Sequence, residues 1–270
     1  MAKKVRMYWI GVPLMVLAGL ILNVNYGLTA DLSKILKEVK TKYGKFDKEI
    51  KDMTIVQTMK MITPQGEMNS EMKTLKKGVK FRVEITTDMP QAKDMPPGMR
   101  GMKNIVIYDG KDTWMISPFM GKKKITGQED VKYQAEGQWW NFLSNNAKIV
   151  GSEKVGKRDC HVVKIQGQSD SPFDTMWIDK KGFNLVKSES KGPDGQQVRM
   201  LNSDFRKIKK SWEIPYKTEM FMEGKLMSTT LVKSVNINKG LKNSLFDPDQ
   251  EKVESGGGMM DMMKKMMERQ

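Results

Sequence analysis

The residue types best suited to catalysis are scarce in this 270-residue chain, which has one cysteine and one histidine. Cys160 and His161 are neighbours in a stretch whose alternation predicts a β-strand. Adjacent side chains of a strand point to opposite faces, so a nucleophilic Cys–His pair is disfavoured. The sequence also lacks a Gly-x-Ser-x-Gly elbow and a phosphate-binding glycine loop. We therefore expect no catalysis, no cofactor and no metal site built on cysteine or histidine.

Methionine is the abundant residue with chemical potential, because the chain has 25 of them. Thioethers of Met95, Met99 and Met102, or of the six methionines within residues 259–267, could bind copper(I). Methionine at alternating strand positions is more often ordinary core. Its flexible side chain also suits a cavity that adapts to apolar ligands. The sequence leaves these readings open.

The first thirty residues have the layout of a secretory signal peptide. Lys3, Lys4 and Arg6 precede an uncharged apolar run over residues 7–22, and small residues follow up to Ala30. We predict cleavage after Ala30; an uncleaved anchor is the alternative, although the run is shorter than the roughly 20 residues that span a bilayer. The formal net charge is +15. For an exported protein, this charge favours anionic headgroups or an acidic partner over nucleic acid, and a solvated polar surface without a partner is the alternative.

The periodicity of apolar residues predicts a mainly β (α+β) fold. Helical spacing predicts an N-terminal helix over residues 31–43, and the period changes to two from residue 52 onward. We count about eleven antiparallel strands up to residue 236, with a Pro/Met-rich loop over residues 88–102 and a second helix over 128–145. No crossover helices separate the strands, which argues against a parallel sheet and for a curled sheet or open barrel.

Several motifs resemble those of the LolA-like proteins, the periplasmic lipoprotein-sorting carriers. The Asp109-Gly110-Lys111 turn followed by Trp114 and Pro118 resembles the central hairpin of that family. Further resemblances lie at residues 75–82, 156–163, 176–179 and 244–248. The resemblance covers residues 31 to about 249. It divides the chain into a signal peptide (1–30), a LolA-like lipid- or lipoprotein-binding domain (31–250), and a glycine linker with a Met-rich tail (251–270).

The resemblance implies an eleven-stranded, incomplete antiparallel barrel whose apolar concave face is covered by the N-terminal helix and a helical lid. It implies a periplasmic monomer that takes lipoprotein acyl chains from an inner-membrane transporter and passes them to an outer-membrane receptor. The Pro/Met insertion and the Met-rich tail depart from the classical carrier. A lipid-responsive sensor of envelope stress and a copper(I)-binding protein are the alternative functions.

We expect the cavity to be lined by strand residues of the first half of the domain, namely Ile55, Met59, Met61, Met68, Met72, Phe81, Val83, Ile85, Trp114 and Ile116. We expect the lid to contact the cavity through Trp139, Trp140, Phe142 and Leu143. Lys77 matches the position at which the classical carrier has an arginine that holds the lid, so the resemblance assigns a lid contact to Lys77.

Overall fold

The computed structural model describes residues 28–64, 66–88, 102–118, 120–125, 139–143, 147–165, 173–192, 194–210 and 212–251. The fold is a single antiparallel sheet of 13 strands, ordered β6-β5-β4-β3-β2-β1-β13-β12-β11-β10-β9-β8-β7. β6 and β7 are the two edges and do not pair, so the sheet is an incomplete barrel, as predicted. Within the described residues, no helix has the length and apolar character needed to cross a membrane.

The helices of the described residues are α1 (Leu28–Tyr43) and α2 (Phe46–Glu49), with short 3-10 helices at Trp139–Phe142, Asn243–Phe246 and Pro248–Gln250. The strands are β1 (Asp52–Thr63), β2 (Gly66–Lys77), β3 (Lys80–Asp88), β4 (Met102–Tyr108), β5 (Thr113–Ser117), β6 (Gly121–Ile125), β7 (Ala147–Val155), β8 (Arg158–Ile165), β9 (Thr175–Asp179), β10 (Leu185–Lys191), β11 (Gln197–Lys209), β12 (Trp212–Met222) and β13 (Lys225–Ile237).

The N-terminal helix is confirmed, and it starts three residues earlier than predicted. Its apolar stripe buries Ile35 and Val39 against the sheet, while Lys34, Lys37 and Lys40 are exposed on the other side of the helix. The helix stops at Gly44, whose N–H donates to the Lys40 carbonyl at 2.8 Å. A Cβ at Gly44 would lie 2.8 Å from that same oxygen, so any larger residue would disturb the end of the helix.

The register of the strands divides the side chains between two faces. We call the face on which α1 packs the helix face, and the other the opposite face. In the β1–β2 pair, Met59 lies across from Ser70 on the helix face, and Thr58 lies across from Glu71 on the opposite face. The pairing of β1 with β2 runs without a shift from Asp52 to Thr63, so the division holds over the whole hairpin.

The helix face is packed at one end of the sheet. There the buried residues of α1 and Leu143 meet the inward side chains of β7 to β10. The buried members of this cluster are Ile35, Val39, Leu143, Ala147, Ile149, Val163, Ile165, Met176, Ile178 and Leu185. Partly buried aromatic residues, including Tyr43 and Phe173, surround it.

The opposite face is packed at the other end of the sheet, under residues 239–251, which we call the C-terminal segment. Phe246 is 1% exposed and lies among Leu75, Ile105, Ile107 and Ile116 of β2, β4 and β5. Side chains of the sheet also hold the segment: Arg82 donates to the Leu245 carbonyl at 3.2 Å and pairs with Glu251. Lys122 pairs with Asp249 at 2.5 Å.

Two details of the predicted fold are corrected. The described residues form 13 strands rather than about eleven. β6, with the sequence GKKKI, is missing from the prediction because three lysines hide its alternation. Lysines are common on edge strands, where they discourage pairing with other chains. In the second predicted helix, the described part is the 3-10 helix Trp139–Phe142, and residues 128–138, 144 and 145 lie outside the described residues.

Replacing Phe246 by alanine should lower the free energy of unfolding by about 3–5 kcal/mol, because it removes a buried ring and leaves a cavity. Leu231→Ala is the control, since Leu231 is 41% exposed and should cost less than about 1 kcal/mol. Denaturant titration of both variants measures the difference. A loss below about 1 kcal/mol for Phe246→Ala would contradict the packing of the C-terminal segment.

Candidate functional site

Eight of the ten predicted lining residues share the helix face of β1, β2 and β3. The strand register places Met61 across from Met68, Met72 across from Ile85, and β3 continues the same face. We call this set the β1–β3 apolar surface; its members are Ile55, Met59, Met61, Met68, Met72, Phe81, Val83 and Ile85. Phe81 is buried and stacks on Tyr108, with ring centroids 5.5 Å apart, whereas the other seven are partly buried.

The same surface continues onto neighbouring strands through residues that were not predicted. Val106 of β4 lies across from Val83, and Met115 of β5 lies across from Val106. On the other side of β1, Val235 and Ile237 of β13 lie across from Ile55 and Met53. The alternation within each strand was visible in the sequence. The partner strand of β1 was not, because β13 pairs with it across more than 150 residues.

Trp114 and Ile116 do not belong to this surface, which corrects the predicted lining. Trp114 lies across from Ile107 and Ile116 across from Ile105, all on the opposite face. Ile116 packs under Phe246, and the Trp114 indole N–H donates to Asp109 Oδ2 at 3.2 Å. The sequence prediction placed β5 one residue out of phase with β1 to β3, and a slip of one residue moves every side chain to the other face.

The predicted lid residues that the structure describes pack over the other half of the helix face. Trp140 stacks on Tyr43 with centroids 4.0 Å apart, and Trp139 meets the same ring edge-on at 5.6 Å. Phe142 contacts Phe173 edge-on, and Leu143 is buried. Burial raises the pKa of the Tyr43 hydroxyl well above its ordinary value, so it stays protonated. These contacts join Trp139–Leu143 to α1 and to β7–β11.

Lys77 lies away from these aromatic residues, which corrects its assignment as a lid contact. Its Nζ donates to the Leu241 carbonyl at 2.6 Å, in the C-terminal segment on the opposite face. Lys77 is one residue past Lys76, whose ammonium lies 5.4 Å above the Phe46 ring of α2. These two adjacent residues of β2 therefore point to different faces of the sheet: Lys76 contacts α2 on the helix face, and Lys77 contacts the C-terminal segment on the opposite face.

A polar network fixes the C-terminal end of α1 to the sheet. Lys42 Nζ donates to the Gly182 carbonyl and to Asn184 Oδ1 at 3.0 Å. Arg158 pairs with Asp179 at 2.6 Å and with Glu213 at 3.0 Å. Burial lowers the pKa of Lys42, and the nearby carboxylates of Glu213 and Asp179 oppose that shift. These contacts fix the end of α1 to the packed half of the sheet.

The cysteine and the histidine lie on different faces, as the alternation predicts. Cys160 is fully buried with Trp177 and Val186 on the opposite face. His161 pairs with Ile178 on the helix face. Burial raises the pKa of the Cys160 thiol to about 11, so the thiolate form is scarce at neutral pH. The methionines of residues 89–101 and 259–267 lie outside the described residues.

Solved structures with the same architecture define the class of fold. A domain described as outer membrane lipoprotein-sorting, from Vibrio parahaemolyticus, has a TM-score of 0.55 at 14% identity over 81% of this chain and 98% of its own. A DUF1329 family protein from Desulfovibrio piger has a TM-score of 0.56 at 15% identity, over 80% and 95%. A LolA superfamily protein from Nitrosomonas europaea has a TM-score of 0.54 at 14% identity, over 80% and 99%. The fold is therefore LolA-like.

A family model described as "Uncharacterized protein" matches residues 99–250, more than half of the chain, and the chain belongs to this family. The matched range includes all strands from β4 to β13 and most of the C-terminal segment. No curated protein matches the chain.

The Cys160 thiol should not react with a disulfide reagent such as DTNB in the native protein at pH 8. Its pKa of about 11 keeps it protonated, and it has no exposed surface. Unfolding in denaturant should release one equivalent of reactive thiol. Rapid labelling of one thiol in native buffer would contradict this account and would reopen a nucleophilic role.

Proposed function

We propose that this protein is a periplasmic carrier that binds acyl chains of lipids or lipoproteins and performs no catalysis. The binding site is the β1–β3 apolar surface together with its continuation on β4, β5 and β13. The observation that carries the proposal is the alignment of seven partly buried apolar side chains, four of them methionine, on one face of three adjacent strands.

The distribution of hydrophobic packing supports this location. In the part of the chain that the structure describes, the cluster around α1 and Trp139–Leu143 takes its strand residues from β7 to β11. The C-terminal segment packs on the opposite face. Neither of these described elements buries the helix face of β1–β3, where Met59, Met61, Met68 and Met72 stay partly accessible. An accessible area lined mainly by apolar side chains is the usual composition of a small-molecule site.

The dimensions and chemistry of the surface suit an acyl chain. From Ile55 to Met61 the strand advances about 20 Å, on the length scale of an extended long-chain acyl group. Each methylene removed from water contributes about 0.8 kcal/mol, so a chain of sixteen carbons gains on the order of 10 kcal/mol. Methionine side chains adapt to ligands of varied shape, which fits a carrier for more than one acylated cargo.

In this proposal the carrier takes acylated cargo from an inner-membrane transporter and releases it to an outer-membrane receptor. The likeness of fold to a domain described as outer membrane lipoprotein-sorting supports a role in moving acylated cargo. Because the bound chain is hidden from water, release needs a partner that binds the chain more favourably or changes the site. The exported character of the chain rests on its N-terminal sequence, residues 1–30.

The double variant Met59→Gln/Met72→Gln should bind a fluorescent acyl probe about 10- to 100-fold more weakly than the wild type, because each change places a polar amide against the acyl chain. Equilibrium titration of the probe, followed by its fluorescence, measures the affinity. Circular dichroism and thermal unfolding establish that the variant keeps the fold.

The matched control is Thr58→Gln/Lys73→Gln, which changes the adjacent residues of the same two strands on the opposite face. This control should bind the probe as the wild type does. Equal loss in both double variants would place binding elsewhere and would contradict the site. Failure of the wild type to bind any acyl probe would contradict the proposed function.

A further inference from the structure

We propose that the outer side of α1 and the adjoining α2 form a docking surface for anionic lipid bilayers. This inference concerns the side of the helices that faces away from the β1–β3 apolar surface, so it is tested separately from acyl binding. The surface, which we call the lysine surface, consists of the exposed residues Lys34, Lys37, Lys40, Lys45, Lys48 and Lys51.

The helical geometry of α1 sets three of these lysines on its outer side. Lys34, Lys37 and Lys40 recur at intervals of three, and they lie opposite the buried positions Ile35 and Val39. None of the three forms an ion pair with a carboxylate of the described residues. Their positive charges therefore combine into one region of positive electrostatic potential on the outer side of α1.

The other lysines continue this field around the end of the sheet. The Glu49 carbonyl accepts hydrogen bonds from Lys209 Nζ at 2.6 Å and from Asn238 Nδ2 at 2.9 Å, and the Lys51 N–H donates to Asn238. These contacts bring α2 against the β11–β12 turn and the end of β13. The exposed Lys210 lies in that turn, and the exposed Lys239 begins the C-terminal segment just after β13, so both extend the positive region beyond the helices.

Three carboxylates at this end are engaged in the interior contacts of the fold, whereas Glu38 of α1 is exposed and is outnumbered by the six lysines of the surface. Glu49 accepts from the Trp212 indole at 2.9 Å. Asp52 is buried and accepts from the backbone N–H groups of residues 239 and 240. Glu213 pairs with Arg158. These three acids hold the fold together through their own partners, and the exposed lysine ammonium groups stay available to an external anion.

The position of the lysine surface in the chain favours a bilayer over an acidic protein as the occupant. α1 begins at Leu28, and the apolar run of the N-terminal sequence ends at Leu22. Six residues span at most about 20 Å, so during export α1 starts close to the membrane until the predicted cleavage after Ala30, and all six lysines stay on the processed chain. Lysines near an anionic bilayer each contribute on the order of five-fold in affinity.

Vesicle sedimentation tests the proposal by measuring how much protein pellets with lipid. The protein is purified after export by a bacterium that expresses the full sequence. Vesicles of phosphatidylcholine alone are compared with vesicles that contain phosphatidylglycerol. At low salt, we expect the protein to bind the anionic vesicles at least about ten-fold more tightly than the neutral vesicles. This binding should be largely lost at about 0.5 M NaCl, because salt screens the charges. The difference between the two vesicle types removes any contribution from a retained apolar run.

The triple variant Lys34→Gln/Lys37→Gln/Lys40→Gln should weaken binding to anionic vesicles by about 100-fold. The matched control, Lys148→Gln/Lys157→Gln/Lys164→Gln, removes the same charge from exposed lysines of β7, β8 and the turn between them.

Equal loss in both variants would mean that net charge alone attracts the protein, and would overturn the assignment. Equal binding to neutral and anionic vesicles would also overturn it and would favour an acidic protein partner. Acyl-probe affinity should be unchanged in the triple variant, so failure here is distinguishable from failure of the carrier function.

Discussion

The alternation of side chains along thirteen paired strands is the constraint on which the rest of this structure depends. A sheet of this size presents two broad faces, and each covering element of the described chain reaches only part of one. α1 with Trp139–Leu143 packs over β7–β11 on the helix face. The C-terminal segment packs over β2, β4 and β5 on the opposite face. The two coverings lie on opposite faces and at opposite ends, so an apolar stretch of the helix face stays partly accessible on β1–β3.

Polar contacts fix each covering element in place. Arg82, with a side chain 4% exposed, pairs with Glu84 at 2.6 Å and with Glu251 of the C-terminal segment. Burial acts to lower the pKa of Arg82, but its hydrogen bonds to Glu251 and Glu84 outweigh that effect and raise it. At the other end, Lys42, Arg158 and their partners hold α1. A buried charge is tolerated only when it is paired, so each network ties its covering element to one position on the sheet.

Much of the fold was predictable from local patterns. The helix ending at Tyr43 follows from an apolar spacing of three to four, and the opposite orientation of Cys160 and His161 follows from a spacing of two. The hairpin follows from its Asp109–Gly110 turn. The site was predictable only in part. The strands β1 to β3 keep one alternation, so eight of the ten predicted residues share the helix face. The predicted alternation of β5 is shifted by one residue, so Trp114 and Ile116 lie on the opposite face. The hydrogen bond from Lys77 to the Leu241 carbonyl joins residues that are 164 positions apart in the chain, so no local sequence pattern predicts it.

The proposed function requires that the β1–β3 apolar surface holds an acyl chain in the cell. Native mass spectrometry of the protein purified from the bacterial envelope without detergent tests that claim most directly. We expect a population heavier than the apoprotein by the mass of a lipid or acylated peptide. This population should be reduced in Met59→Gln/Met72→Gln and kept in Thr58→Gln/Lys73→Gln. A single apoprotein mass, or an adduct that the helix-face variant retains in full, would contradict it.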